Sequence, residues 1–227
     1  MQNDDDRAVI DALQPAAADR IVVIRGSGVD LDHFEPLPEP PSPPVTAAYI
    51  GRMIAIKGVA TLVEAQRLLR AKGVELQLLL VGTPDLANPS SFDETTLRAW
   101  SQLPGIAWCG HREDVRAIWA AAHIATLASE GGEGVPKTLL EAAAVGRAIV
   151  ATDVPGNRDI ARDGINAILV PPGDAAALAA ALETLARDPA RRRAYAAAGR
   201  SLVAEGFSEE AVGAATVALY RALSAAI

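Results

Sequence analysis

The residues between Ser129 and Gly146 have the types and spacing to hold a phosphorylated, hydroxyl-rich ligand. The stretch SEGGEGVPKTLLEAAAVG is loosened by Gly131, Gly132 and Gly134, then turns helical at Pro136, a residue suited to a first helical turn. Backbone amides at a helix start lack intrahelical partners and carry partial positive charge, so those of Gly134 and Val135 can donate to a phosphate. Glu133 precedes this helix and Glu141 follows eight residues later. The two would not share a face of one continuous helix, but with Glu133 on the loop both can border one cleft. Carboxylates accept hydrogen bonds from hydroxyls, so such a pair suits a sugar and a ribose. Spacing alone leaves a plainer reading open, in which Glu133 complements the helix dipole and Glu141 is a solvated helix residue.

A second loop, YIGRMIAIKGV, supplies Arg52 and Lys57 after an apolar run. Arginine grips a diphosphate through a planar fork and lysine as a point charge, although taken alone these could be two surface cations. Other motifs carry less. Gly26-x-Gly28 lacks the third glycine of a dinucleotide fingerprint. Asp4-x-Asp6 and Asp30-x-Asp32 suit caps or turns better than a cation. His33, His111 and His123 have no ligand spacing among themselves or with Cys109, so no metal is expected. Cys109, the single cysteine, sits in an apolar run and reads as a buried structural thiol. No nucleophile–base arrangement stands out.

The elements that must position these residues alternate. Strands are expected at Arg20–Ile24, Val45–Gly51, Leu76–Gly82, Ile106–Cys109, Ile124–Ala128, Ala148–Thr152 and Ala167–Val170. Helices are expected at Val59–Ala71, Ser91–Leu103, Asp114–Ala122, Pro136–Val145 and Gly156–Arg162. Runs such as LQLLLVG and RAIVAT are apolar almost throughout, as strands covered on both faces should be. The alternation predicts an α/β fold, a doubly wound parallel sheet with helices on both faces. Its ligand loops would follow the strands, at Gly51–Gly58, Gly82–Asn88, Gly110–Asp114 and Ser129–Pro136. The chain ends helically, over Asp174–Asp188, Pro189–Glu205 and Ser208–Ile227, with Asp174 and Ser208 as N-caps. Glu35–Pro44 (EPLPEPPSPP) reads as a stiff extended connector.

With 227 residues, half of them apolar, the chain can bury a sizeable core. The net charge of −7 and scattered Lys/Arg argue against a nucleic-acid partner. The start, MQNDDDRAVI, has no apolar core of a signal peptide, and no run approaches the ~18 apolar residues of a membrane span. A soluble, cytoplasmic placement is expected, with a peripheral position at the inner face of the membrane compatible with it.

Taken together, these loops resemble the C-terminal half of glycosyltransferase family 4, retaining enzymes of the GT-B fold. VVIRGSGVDLDHF resembles the first strand and turn of that half. YIGRMIAIKGVATLVEA resembles the loop whose arginine and lysine hold the donor diphosphate. EGVPKTLLEAAAVGRAIVATDVPG resembles the E-x7-E signature and the strand and turn that succeed it, and FSEEAVGAATVALYRAL the terminal helix. GHREDV and NPSS are similar to the bacterial branch that builds lipid-linked surface polysaccharides.

The resemblance implies a single Rossmann-like, nucleotide-sugar-binding domain over 1–227, with 1–19 a remnant of the inter-domain region and 35–44 the connector. The N-terminal acceptor domain would be absent, and could be a partner. Glu133 would contact hydroxyls of the donor sugar and Glu141 the ribose. The Gly134–Val135–Pro136 backbone would meet phosphate or sugar. Arg52 and Lys57 would stabilise charge on the leaving diphosphate without a metal or cofactor. The loops bearing Gly82 and Arg112 would border the base. The expected activity is transfer from a nucleotide-diphospho-sugar to a hydroxyl, with retention, on a lipid-linked or saccharide acceptor. A non-catalytic module needing a partner domain, and a GT-B epimerase or phosphorylase, stay open.

Overall fold

A computed structural model describes residues 1–15 and 20–225. After a first helix α1 (Asp4–Leu13), the chain alternates β1 (Val45–Ile50), α2 (Val59–Ala71), β2 (Leu76–Val81), α3 (Glu94–Ser101), β3 (Ile106–Gly110), α4 (Val115–Ala121), β4 (Ile124–Leu127), α5 (Lys137–Ala144), β5 (Ala148–Thr152), α6 (Pro155–Ile160) and β6 (Ala167–Val170). Helices α7 (Ala175–Arg187), α8 (Pro189–Gly206) and α9 (Glu209–Ala225) complete it. The six strands form one parallel sheet in the order β3-β2-β1-β4-β5-β6. Every residue of the central strands β4 and β5 is buried, which their unbroken apolar sequences require once both faces are covered. Helix α7 packs on α2 and α8 on α5, so helices layer both faces. On α2, Val59, Leu62, Val63 and Leu69 point into this core, the face that the 3.6 period selects.

Local chemistry sets the element ends. Asp174 accepts from the Ala177 amide at 2.8 Å and Ser208 from that of Ala211 at 3.1 Å, both as expected N-caps, and Pro189 opens α8. Asp93 caps α3 by accepting from Thr96 N–H at 2.7 Å, so this helix starts later than its periodicity suggests. Ser91, expected inside it, instead bridges to Ile54.

Two expectations are corrected. Arg20–Ile24 does not join the sheet: Val22 is 44% exposed, and Ile24 N–H donates to the Met1 carbonyl at 2.9 Å. A short apolar run is compatible with a strand, but pairing depends on a neighbour with a free edge in reach. Conversely, Asp4–Leu13 is a helix that periodicity did not single out, because none of its residues except its cap is buried; Asn3 caps it through the Asp6 amide. Its acidic first turn is held by Arg25, which pairs with Asp4 and Asp159, and by Arg158, which pairs with Asp5. Of the expected ends, residues 16–19 and 226–227 lie outside those described.

The proline-rich connector runs extended below the sheet, at the amino ends of β4 and β5. Its carbonyls are captured by buried side chains. Arg147 donates to Leu37 and Pro38, and His123 Nε2 lies 3.1 Å from the Pro40 carbonyl. Arg192 pairs with Glu39 at 2.9 Å.

Candidate functional site

The strand order reverses direction between β1 and β4. At such a switch point the loops leaving neighbouring strands part to opposite faces, and a crevice opens beyond the carboxyl ends. The loop after β1 carries Arg52 and Lys57, the loop after β4 carries Ser129 and Glu133. Gly58 brings the two loops together. It holds a left-handed φ of 68°, and a Cβ there would collide with the Ala128 carbonyl, so glycine permits a contact that places Lys57 against Glu133. Lys57 itself ends a short 3-10 turn, Ala55–Lys57, just before α2.

A cavity of about 240 Å³ fills the crevice, lined by Arg52, Lys57, Glu133, Pro136, Lys137 and Thr138, with Tyr49 and Leu127 at its floor. Lys57 Nζ donates to Glu133 Oε1 at 2.5 Å, and Ser129 Oγ donates to the same oxygen. This pair is nearly enclosed, the side chains being 18% and 8% exposed. Arg52 donates from Nη1 to Asp85 Oδ2 at 2.8 Å and stays open to solvent at 59%. Lys137, in the first turn of α5, makes no ion pair among the described residues. Two cations are therefore held by carboxylates and a third faces the cavity without one.

Tyr49 supports this arrangement from beneath. Its hydroxyl donates to the Arg52 carbonyl at 2.7 Å, fixing the loop that presents the guanidinium. Burial, then the charge of Glu133, pushes its phenol well above the ordinary range, with Arg52 opposing, so it remains a donor. Thr138 Oγ1, also in the lining, is buried without a hydrogen-bond partner among the described residues.

The start of α5 is partly occupied from within. Val135 N–H donates to Gln2 Oε1 at 3.2 Å, and the Gln2 amide lies against Gly134. A side-chain oxygen thus stands where the sequence places a ligand oxygen. Pro136 is the N-cap residue and Lys137 the first helical one. Glu141 is buried one turn further in, outside the cavity lining. Burial raises its carboxyl above the usual range, and the Lys137 charge pulls it back in part.

Arg52, Lys57, Glu133 and Pro136 therefore meet in one cavity, whereas Gly82 and Arg112 do not line it. Gly82, with φ 137°, packs directly on the Gly51 carbonyl, a close approach of backbone to backbone. Arg112 is exposed on the loop after the edge strand β3. Cys109 is only half-buried on that edge, and burial raises its thiol pKa, which keeps it protonated. Sequence reasoning passed over Tyr49, Asp85, Ser129, Lys137 and Thr138. Lys137 and Thr138 did leave a signal, standing directly after Pro136 at the helix start. Asp85 left none, since it meets Arg52 across 33 positions.

Residues 44–188, more than half of the chain, match the family model of the group 1 glycosyl transferases. The chain belongs to that family. Arg52, Lys57, Glu133 and Glu141 all fall within the matched span. Among curated relatives, it is 32% identical to alpha-maltose-1-phosphate synthase of Mycolicibacterium smegmatis, over 94% of this chain and 59% of that protein. It is 26% identical to the capsular polysaccharide biosynthesis glycosyltransferase CapM of Staphylococcus aureus, over 72% of this chain and 42% of that one. The chain spans about half the length of these relatives. Anabaena Alr3699/HepE, solved in complex with UDP, superposes with a TM-score of 0.83 over 97% of this chain and 62% of that chain, at 17% identity. That likeness is one of fold, the Rossmann-like C-terminal half of a GT-B arrangement. Among the described residues, no helix is long and apolar enough to cross a membrane.

Proposed function

We propose that this chain is the donor-binding half of a glycosyltransferase that moves a sugar from a nucleotide-diphospho-sugar to a hydroxyl acceptor with retention. The observation that carries this reading is the gathering of Arg52, Lys57, Lys137 and Glu133 around one cavity at the switch point of the sheet. As the bond from sugar to diphosphate breaks, negative charge accumulates on the departing diphosphate. Cations fixed at that position lower the barrier because they need no reorganisation. Arg52 and Lys57 rest on Asp85 and Glu133, and a diphosphate would replace those carboxylates as their acceptor. Glu133 would turn its second oxygen to a sugar hydroxyl. Glu141 would meet the ribose, whose hydroxyls can donate to its carboxyl oxygens.

Retention rests on the family resemblance. A saccharide or lipid-linked acceptor is supported by the relatives' roles, as in capsular polysaccharide biosynthesis. Calorimetric titration with UDP, GDP and ADP tests the donor site. Binding of one of them, weakened in Lys57→Ala, is the expected result, and no binding of any by the folded chain sinks the reading. One alternative is a nucleotide-sugar-binding module that becomes an enzyme only with a partner domain. Sugar transfer by this chain alone excludes that alternative.

A further inference from the structure

Glu133 stands on a glycine-rich loop. Gly131 and Gly132 precede it and offer no side chains to pack: among the described residues nothing lies within contact distance of where a Cβ of residue 131 would stand, and the tip of Ile56 alone approaches that of residue 132. The carboxylate oxygen Oε1 is held by two side chains, Lys57 and Ser129. If Lys57 turns to a diphosphate when donor binds, Ser129 is the contact that remains.

Ser129 is itself the end of a buried chain of hydrogen bonds. The hydroxyl of Thr152, at the end of β5, donates to the Ser129 carbonyl at 2.5 Å. Asn157 Nδ2, in α6, donates to the Thr152 carbonyl at 3.0 Å and to its hydroxyl oxygen at 3.2 Å. Ser129, Thr152 and Asn157 are all fully buried, at 0%, 1% and 0% exposure. The direction of each bond is fixed by proton count. Thr152 has one hydroxyl proton and gives it to Ser129, so it can only accept from Asn157. Ser129 likewise has one hydroxyl proton, and it goes to Glu133 Oε1. The Oδ1 of Asn157 is buried without a partner among the described residues.

We propose that Asn157, Thr152 and Ser129 form a positioning relay that locks one oxygen of Glu133, leaving its other oxygen aimed at the donor sugar. The inference rests on the reading of Glu133 as the sugar-contacting carboxylate. The relay touches no part of the nucleotide, so its loss acts on the sugar and spares the diphosphate.

The experiment compares dissociation constants for three pairs, UDP with UDP-glucose, GDP with GDP-mannose and ADP with ADP-glucose, using the pair that the wild-type chain binds. Glu133→Gln is expected to weaken the sugar nucleotide without weakening the bare nucleotide, whose diphosphate no longer competes with a carboxylate for Lys57. Thr152→Val and Ser129→Ala are expected to do the same, weakening the sugar nucleotide about 2–10-fold, the range of an ordinary hydrogen bond, since the relay acts through the position of Glu133. Thr152→Ser, which keeps the hydroxyl, should restore wild-type binding. Thr152→Val combined with Glu133→Gln should bind no more weakly than Glu133→Gln alone. Ser129→Ala keeps the question answerable should the valine variant misfold. If Glu133→Gln discriminates between sugar nucleotide and nucleotide while the relay variants affect both equally or neither, the relay is overturned and the donor-site reading stands. If Glu133→Gln does not discriminate, or no pair binds, the reading of Glu133 fails and the relay with it.

Discussion

The two ends of the sheet use cations in opposite ways. At the amino ends, Arg147, Arg192 and Arg200 are tied mainly to backbone carbonyls. Arg147, 1% exposed, donates to the carbonyls of Trp119, Leu37 and Pro38 at 2.8–2.9 Å. Arg200 reaches those of Phe34 and Ala144, both at 2.9 Å. At the carboxyl ends, Arg52 and Lys57 meet side-chain carboxylates and Lys137 meets none among the described residues. A backbone carbonyl cannot leave, so a cation bound to it is committed to the fold. A carboxylate can be exchanged for a phosphate by rotating a few side-chain bonds, so a cation bound to it stays available. The acceptor, more than the residue type, separates a structural arginine from a functional one.

The comparison breaks most sharply at Arg147. Truncation to alanine would strand the buried Trp119 carbonyl and the part-buried carbonyls of Leu37 and Pro38 and open a cavity, and an orphaned buried acceptor costs about 1–3 kcal/mol. A stability loss of about 3–5 kcal/mol is expected in urea unfolding. Nucleotide affinity of the folded fraction should stay unchanged. A weakened affinity at intact fold would show that the two ends are not independent. At the other end, Lys57→Ala should reverse the pattern. Removing one charged hydrogen bond to phosphate is worth about 1.5–3 kcal/mol, so nucleotide affinity should fall about 10–100-fold. Its melting temperature should move far less than that of Arg147→Ala.

His123 offers a smaller, pH-dependent handle on the amino end. Thr46 N–H donates to its Nδ1 at 3.1 Å, which leaves the ring proton on Nε2, facing the Pro40 carbonyl. Burial, then Arg192, holds the ring below its ordinary pKa, so the folded chain prefers the neutral form. A lowered folded pKa contributes stability that is present above about pH 6.5 and lost as pH falls below it. The melting temperature should decline between pH 7.5 and pH 5.5, and the decline should be shallower in His123→Gln. An identical slope in both would locate the acid sensitivity elsewhere.

How far these features could be read from residues alone follows from their range. Strands β5 and β6 match the expected ranges because a buried parallel strand is written as a short unbroken apolar run. The β4 loop, with Glu133, Pro136 and the helix start, was legible for the same local reasons. What lies between distant segments was not. The Lys57–Glu133 contact spans 76 positions and needs Gly58 to bring two loops within reach. The apolar run at Arg20–Ile24 failed as a strand because no sheet edge receives it. Gln2 at the Val135 amide could not be foreseen, since a side chain serving as a local substitute for a ligand oxygen leaves no periodic trace.

The smallest expected effect sharpens the comparison most directly, because it is predicted to improve binding. If carboxyl-end cations are held in reserve by exchangeable carboxylates, Asp85 competes with the diphosphate for Arg52. The pair is half open to water, with Arg52 59% and Asp85 24% exposed, and exposed pairs are worth about 0.2–1 kcal/mol. Asp85→Asn keeps the shape and removes the competing charge, so nucleotide affinity should rise about two- to fivefold, an effect that added salt diminishes. The same substitution logic at Glu39, the partner of Arg192, should give no gain, because that guanidinium also donates to the Leu185 and Ala186 carbonyls at 2.6 and 3.0 Å. Weaker binding in Asp85→Asn would mean that Asp85 aims Arg52 at the diphosphate instead of withholding it. The Arg52 pair would then resemble the committed arginines at the amino end more closely than its exposure suggests.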